Sequence, residues 1–334
     1  MRVAVIGAGG WGTALARLLI TTGHQVCLWV RQPALCERLK QERENHPYLP
    51  GVPLPETLTY TISLAEAASE AQLLIFAVPS HAMRSVATAL KPCLDQTQLV
   101  VSVSKGIEEG SLQTMSVVLT EVFGKPVKER LAVLSGPSFA AEVARGLPTA
   151  VTLAARVTDV AATVQRVFAA SRFRVYTTTD VVGVEIGGAV KNVIAIAAGV
   201  SDGLGYGYSA RAALITRGLA EIVRLAVRMG AEPQTLSGLS GMGDLILTCT
   251  SDLSRNHGVG VRLGRGEKVT TVLQGMTMVA EGVRTCRSVF ALAQQIEVEM
   301  PIVEQVYALL YTGKPSYQVV TDLLAREAKP EFAC

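Results

Sequence analysis

Lys191 is the only charged side chain between Glu185 and Asp202, in an apolar run with helical character. Burial disfavours an ammonium, so a lysine in such a helix exchanges its proton nearer neutral pH than a free one. A tuned amine of that kind suits general acid–base work at a carbonyl or an alcohol. The competing reading is a lysine that snorkels to solvent from a helix edge. Lys105, in Ser104-Lys105-Gly106, follows the buried-strand pattern Leu99 to Val103. A cation at that edge of a sheet can touch both a cofactor and a substrate, although polar loop ends are also ordinary there. Asp244 ends Gly241-Met-Gly-Asp244 and has three roles open to it: orienting Lys191, bonding a substrate hydroxyl, or serving the turn. Ser254-Arg255-Asn256 opens a helical stretch; Ser is a good N-cap, and free N–H groups beside an arginine make an anion site or simply a capped helix.

The first thirty residues supply the other chemical signal. Gly7-Ala8-Gly9-Gly10-Trp11-Gly12 lies between a strand pattern, Arg2 to Ile6, and a helical one, Trp11 to about Thr22; a second strand pattern covers Gln25 to Val30. That is G-x-G-x-x-G in the context a dinucleotide site requires. Gly7 permits the sharp turn, Gly9 lets a pyrophosphate approach the backbone, and Gly12 lets helix pack on strand. The helix start then offers N–H groups and a positive dipole end. After the second strand comes Arg31 with no acid before Glu37. An acid there would hold the ribose hydroxyl of NAD, whereas Arg31 suits the 2′-phosphate of NADP, so NADPH is favoured over NADH.

These residues need elements to hold them. At 334 residues, 49% apolar and 18% charged, the chain can fill more than one core, and two domains are expected. A net charge of +3 argues against nucleic acid. The six cysteines and four histidines show no ligand spacing, so reduced thiols, no metal and a cytoplasmic location are expected. Arg2 and four apolar residues before the glycines make no secretory leader, and Glu185, Lys191 and Asn192 argue against a membrane span over 181–200.

Strand and helix patterns alternate as far as residue 176. A helix is expected over 33–44, a Pro-rich loop through Pro47, Pro50, Pro53 and Pro55, and strands near 58–61, 73–78, 99–103, 131–134, 149–153 and 174–176. Helices are expected over 83–94, 112–123 and 159–169, and Ser63 with Glu66 reads as a capping box. From Asp180 the pattern is helical to the end. The fold class is therefore α/β: a Rossmann-like, doubly wound, mostly parallel sheet with a second, all-helical C-terminal domain. Residues 1–179 form the expected dinucleotide-binding domain and 180–334 the substrate-binding and catalytic one.

Taken together the motifs resemble the bacterial soluble glycerol-3-phosphate dehydrogenases that act with NAD(P). The landmarks, over essentially the whole chain, are Gly7 to Ala16, Val78-Pro-Ser80, Ser104 to Ile107, Leu134 to Ala140, Gly187 to Ala195, Leu239 to Leu245, Ser254-Arg-Asn256 and Ala280-Glu-Gly282. The resemblance implies that Lys191 donates and accepts the proton. It implies a substrate pocket of Lys105, Gly136, Ser138, Lys191, Asp244, Ser254, Arg255 and Asn256. Cofactor contacts are implied for Trp11, Arg31, Lys105, Ala140, Arg255, Val279 and Glu281, beside the glycine turn. It also implies a homodimer. Many relatives carry Ser where this chain has Gly10, so a hydroxyl contact to the cofactor is lost here. Two rivals are a β-hydroxyacid dehydrogenase acting on a carboxylate and a non-catalytic nicotinamide-sensing protein.

Overall fold

The structure, a computed structural model, describes residues 1–276, 280–328 and 330–331. The sheet half contains β1 (Arg2–Ile6), α1 (Gly10–Thr21), β2 (Gln25–Trp29), α2 (Pro33–Glu42), β3 (Glu44–Asn45), β4 (Leu49–Pro53), β5 (Thr59–Thr61), α3 (Leu64–Ser69) and β6 (Leu73–Phe76). It continues through α4 (Met83–Leu90), β7 (Leu99–Ser102), α5 (Met115–Phe123), β8 (Leu131–Ser135), α6 (Ala140–Ala144), β9 (Thr149–Ala155), α7 (Thr158–Phe168) and β10 (Phe173–Thr178).

Eight strands form one sheet in the order β10-β9-β8-β7-β6-β1-β2-β5. Every pairing is parallel except β8 with β9. The central strands read as continuous apolar runs because helices cover both faces; all four residues of β6 and all five of β8 are buried. Strand order reverses between β1 and β6. The crevice outside their carboxyl ends is the switch point where α/β sheets take ligands.

Two expectations shift. The Pro-rich segment folds back as an antiparallel hairpin, β3 with β4, rather than a loop. Its Leu49 and Val52 pack under Trp11 with Ala14 and Ala144, so burial supplies what prolines cannot give a hydrogen-bonded strand. The expected helix from Leu112 starts at Met115, because Leu112 itself adopts φ 57°.

Beyond β10, the described residues hold helices and no strand: α8 (Val181–Gly203), α9 (Gly207–Arg228), α10 (Pro233–Leu236), α11 (Asp244–Thr250), α12 (Arg255–Gly264), α13 (Val269–Gln274), α14 (Glu281–Gln295), α15 (Pro301–Tyr311) and α16 (Ser316–Leu324). By length and composition α8 could cross a membrane, but 94% of its most apolar window lies inside the protein. Asp180 caps it by accepting from the Gly183 N–H at 2.8 Å. Glu185 ties it to the sheet half, accepting from Ser116 N at 2.8 Å and Ser116 Oγ at 2.5 Å.

At its other end α8 crosses α12 backbone against backbone. A Cβ at Gly199 would lie 2.1 Å from the His257 carbonyl oxygen, and one at Gly203 would lie 2.3 Å from that of Val261. Reciprocally, a Cβ at Gly260 would lie 2.1 Å from the Ile196 carbonyl oxygen, and one at Gly264 2.4 Å from that of Val200. Small residues four apart on both helices allow this approach, and any side chain there would force the axes apart. Gly260→Ala is expected to cost about 3 kcal/mol or more, the upper end for overpacking a core, read from the shift in urea midpoint. A loss under about 1 kcal/mol would mean that the two helices separate easily.

Candidate active site

The glycine turn sits at the switch point between β1 and β6. Gly7 has φ 123°, and a Cβ there would lie 2.6 Å from the Ala77 carbonyl oxygen. A Cβ on Gly12 would lie 1.9 Å from the Gly7 oxygen, so helix and turn meet without a side chain between them. A Cβ on Gly9 would meet no other part of the protein within 4 Å, so the space on that side of the turn is open to a ligand. Those are the three separate duties of a pyrophosphate-binding turn, and the residues fit a dinucleotide.

The structure adds a constraint at Gly10, where a Cβ would fall 2.7 Å from the Tyr48 carbonyl oxygen on the hairpin. Any side chain at position 10 would therefore push the hairpin away from the turn. Ala140 lies beside Gly10, and Trp11 is half-buried against the hairpin cluster. Asn45 secures the turn from behind, donating to the Ala8 carbonyl at 3.0 Å and to Thr13 Oγ1 at 2.7 Å. Nothing in the sequence marked Asn45, because the hairpin that carries it reads as a loop. Arg31 stands exposed just beyond β2.

The two lysines converge on one carboxylate. Lys191, 6% exposed on α8, donates from Nζ to Asp244 Oδ1 and to Thr248 Oγ1, the latter at 2.7 Å. Lys105 Nζ donates to Asp244 Oδ2 at 2.6 Å and to the Gly136 carbonyl at 3.1 Å. The Lys191 side chain is therefore inside, not snorkelled. Asp244 is 1% exposed and starts α11, delivered by a wide π-type turn over Leu239–Gly243. Burial brings the Lys191 amine down to about 8; Asp244 opposes the shift by favouring the ammonium, and Lys105 adds to it by repulsion. An amine so placed is both donor and acceptor near neutral pH.

Thr248 was missed by sequence reasoning. It lies one helical turn past Asp244, and its hydroxyl also donates to the Asp244 backbone carbonyl at 2.6 Å. The Asp-x-x-x-Thr spacing was the available signal. Gly136, with φ 145°, turns tightly against Val151, and Ser138 Oγ donates to its carbonyl at 3.0 Å.

The third group gathers at the start of α12. Ser254 Oγ accepts from the His257 N–H at 3.2 Å, the expected N-cap. Asn256 is 8% exposed; it donates to Asn192 Oδ1 at 2.8 Å and accepts from the Gly282 N–H at 3.0 Å. Asn192, the residue next to Lys191, thereby ties this group to α8. Arg255 is exposed as a residue, yet the protein around its guanidinium desolvates it enough to lower its pKa, and the Glu281 carboxylate opposes that shift. Glu281 accepts from Ser80 Oγ at 2.7 Å. His257 also contacts Asp202, which pairs with Arg211 at 2.8 Å. Val279 lies outside the described residues.

Known proteins resemble this chain along nearly its whole length. Residues 2–161 match the family model of the NAD-dependent glycerol-3-phosphate dehydrogenase N-terminus, and residues 180–321 match that of its C-terminus. A glycerol-3-phosphate dehydrogenase (NAD(P)+) of Geobacter sulfurreducens is 53% identical over 330 residues, covering 99% of this chain and 98% of the relative. One from Anaeromyxobacter dehalogenans is 53% identical over 332 residues, covering 99% and 100%. The crystal structure of glycerol-3-phosphate dehydrogenase from Coxiella burnetii superposes with a TM-score of 0.93 at 40% identity, covering 97% of this chain and 99% of that one. With both halves matched and the identity sustained end to end, the chain belongs to the NAD-dependent glycerol-3-phosphate dehydrogenase family.

Proposed function

We propose that this protein interconverts dihydroxyacetone phosphate and sn-glycerol 3-phosphate with NADPH or NADH, supplying glycerol 3-phosphate for glycerophospholipid synthesis. The observation that carries the reading is the buried Lys191 amine sharing Asp244 with Lys105. Residues 1–179 bind the dinucleotide, and 180–334 bring the catalytic amine and most of the substrate pocket. The dinucleotide is held by the turn of Gly7, Gly9, Gly10 and Gly12 with Trp11, Arg31, Lys105, Ala140, Arg255, Val279 and Glu281. The protein acts as a cytoplasmic homodimer.

When bound, the reduced nicotinamide supplies hydride to carbon 2 of the ketone. Lys191 gives a proton from Nζ to the oxygen on that carbon as negative charge develops there. Asp244 and Thr248 hold the amine in place, so no reorganisation is needed at the moment of transfer. Lys105, with its own contacts to Asp244 and Gly136, adds a fixed positive charge. Gly136 and Ser138 border the pocket, while Ser254, Arg255 and Asn256 receive the phosphate at the start of α12. In the oxidative direction Lys191 takes the proton back.

Initial rates of NADPH and NADH loss with dihydroxyacetone phosphate test the reaction directly. Turnover is expected with both cofactors and is faster with NADPH at low concentration, if Arg31 meets the 2′-phosphate. No turnover with either cofactor, both being bound, sinks the phosphate-substrate reading. Lys191→Ala is expected to lower kcat by about 10²–10⁴-fold, the range for a lost acid–base group, with NADPH binding nearly unchanged. The pH dependence has a fixed sign. The donor is the ammonium, so ketone reduction falls as pH rises through about 8, while glycerol 3-phosphate oxidation rises over the same range. Parallel profiles in both directions would remove Lys191 as the titrating group.

A further inference from the structure

The landmark Val78-Pro79-Ser80 ends the β6 segment at the ligand edge of the sheet, yet the proton chemistry and the anion site make no use of it. Ser80 is 4% exposed, and its hydroxyl reaches across the cleft to Oε2 of Glu281, 201 residues later, at 2.7 Å. The backbone after Lys105 closes over it: a Cβ on Gly106 would lie 2.5 Å from both Cβ and Oγ of Ser80. The serine is therefore packed closely against the loop that carries Lys105. Glu281 is the first residue of α14, and the next N–H along, from Gly282, bonds Asn256, which bonds Asn192 beside Lys191. A polar path thus runs from the end of β6 to the catalytic helix.

We propose that Ser80 is a positioning residue that holds the Glu281 carboxylate in the geometry the dinucleotide requires. The inference rests on reading Glu281 as a cofactor contact. A glutamate at a helix start has three side-chain torsions to settle, and a hydrogen bond to an ionised acceptor is stronger than one between neutral groups. Ser80 occupies Oε2 alone. A carboxylate offers further acceptor positions on its other oxygen, and it only accepts, so its ligand is a donor: a ribose hydroxyl or the carboxamide N–H of the nicotinamide. The tie to Ser80 also makes cofactor affinity depend on a contact between the sheet half and the helical half.

Fluorescence titration with NADPH, in the absence of substrate, tests this on the full-length protein. Ser80→Ala is expected to raise Kd about tenfold, the effect of losing one hydrogen bond to a charged group, with kcat at saturating cofactor within about twofold of wild type. In a Glu281→Ala background the same substitution is expected to change Kd by less than about twofold, since the group it acts through is gone. A wild-type protein that fails to bind NADPH overturns the cofactor reading and this proposal with it. If wild type binds and Ser80→Ala leaves Kd unchanged, or its effect adds in full to that of Glu281→Ala, the positioning role alone is overturned.

Discussion

A lysine amine enclosed by an apolar helix cannot stay charged without a carboxylate beside it, and that requirement governs how the helical half is built. Desolvating an ammonium costs far more than the helix could otherwise tolerate. Asp244 offsets it from one side and Thr248 completes the shell. To bring them there, α10 must end in the wide turn over Leu239–Gly243, and α11 must lie along α8. Gly187 and Gly241 permit that contact, because a Cβ at Gly187 would lie 2.7 Å from the Ser240 carbonyl oxygen. The balance has three parts: burial lowers the amine most, Asp244 opposes that by favouring the ammonium, and Lys105 on the other carboxylate oxygen adds a smaller push downward.

The helix carrying Lys191 is also the axis on which the two halves are joined. Glu185 docks its first turns on α5 of the sheet half, and Gly188 lets Ser135 and the Lys105 stem come alongside. Its last turns lock into α12 through the four-glycine crossing. The distance along α8 between these anchors therefore fixes the span from the carboxyl edge of the sheet to the helix start at Ser254. Backbone-to-backbone packing serves this purpose better than interdigitated side chains, since it leaves no rotamer freedom with which the register could slip. Groups that act together on one small molecule need set separations, and rigid elements provide them.

At the sheet, the same logic operates with different parts. The reversal of strand order between β1 and β6 opens the crevice, and Gly7 can enter it only because no side chain meets Ala77. The hairpin of β3 and β4 then closes on Gly10 and Trp11 from outside, with Asn45 bonded to the turn it covers. The segment that covers the turn on that side carries prolines that hide its strand character.

The sequence by itself determined what depends on local pattern. The alternation of apolar runs and helical periods gave the sheet half, the change at Asp180 gave the helical half, and the glycine spacing gave the turn, because each of these is written in residues close together along the chain. Lys191, Lys105, Asp244 and Ser254 to Asn256 were singled out as chemical groups for the same reason, and the family likeness rests on their neighbours. Tertiary structure alone decided which groups meet. No spacing rule joins Asp244 to two lysines 139 and 53 residues away, or Ser80 to Glu281. Whether Lys191 snorkels or is enclosed turned on what packs over α8. Thr248 and Asn45 acquire meaning only from α11 and from a hairpin that reads as a loop. Electrostatic and hydrogen-bonded partners are chosen by distance in space, and that distance exists only once the two halves have folded against the same helix.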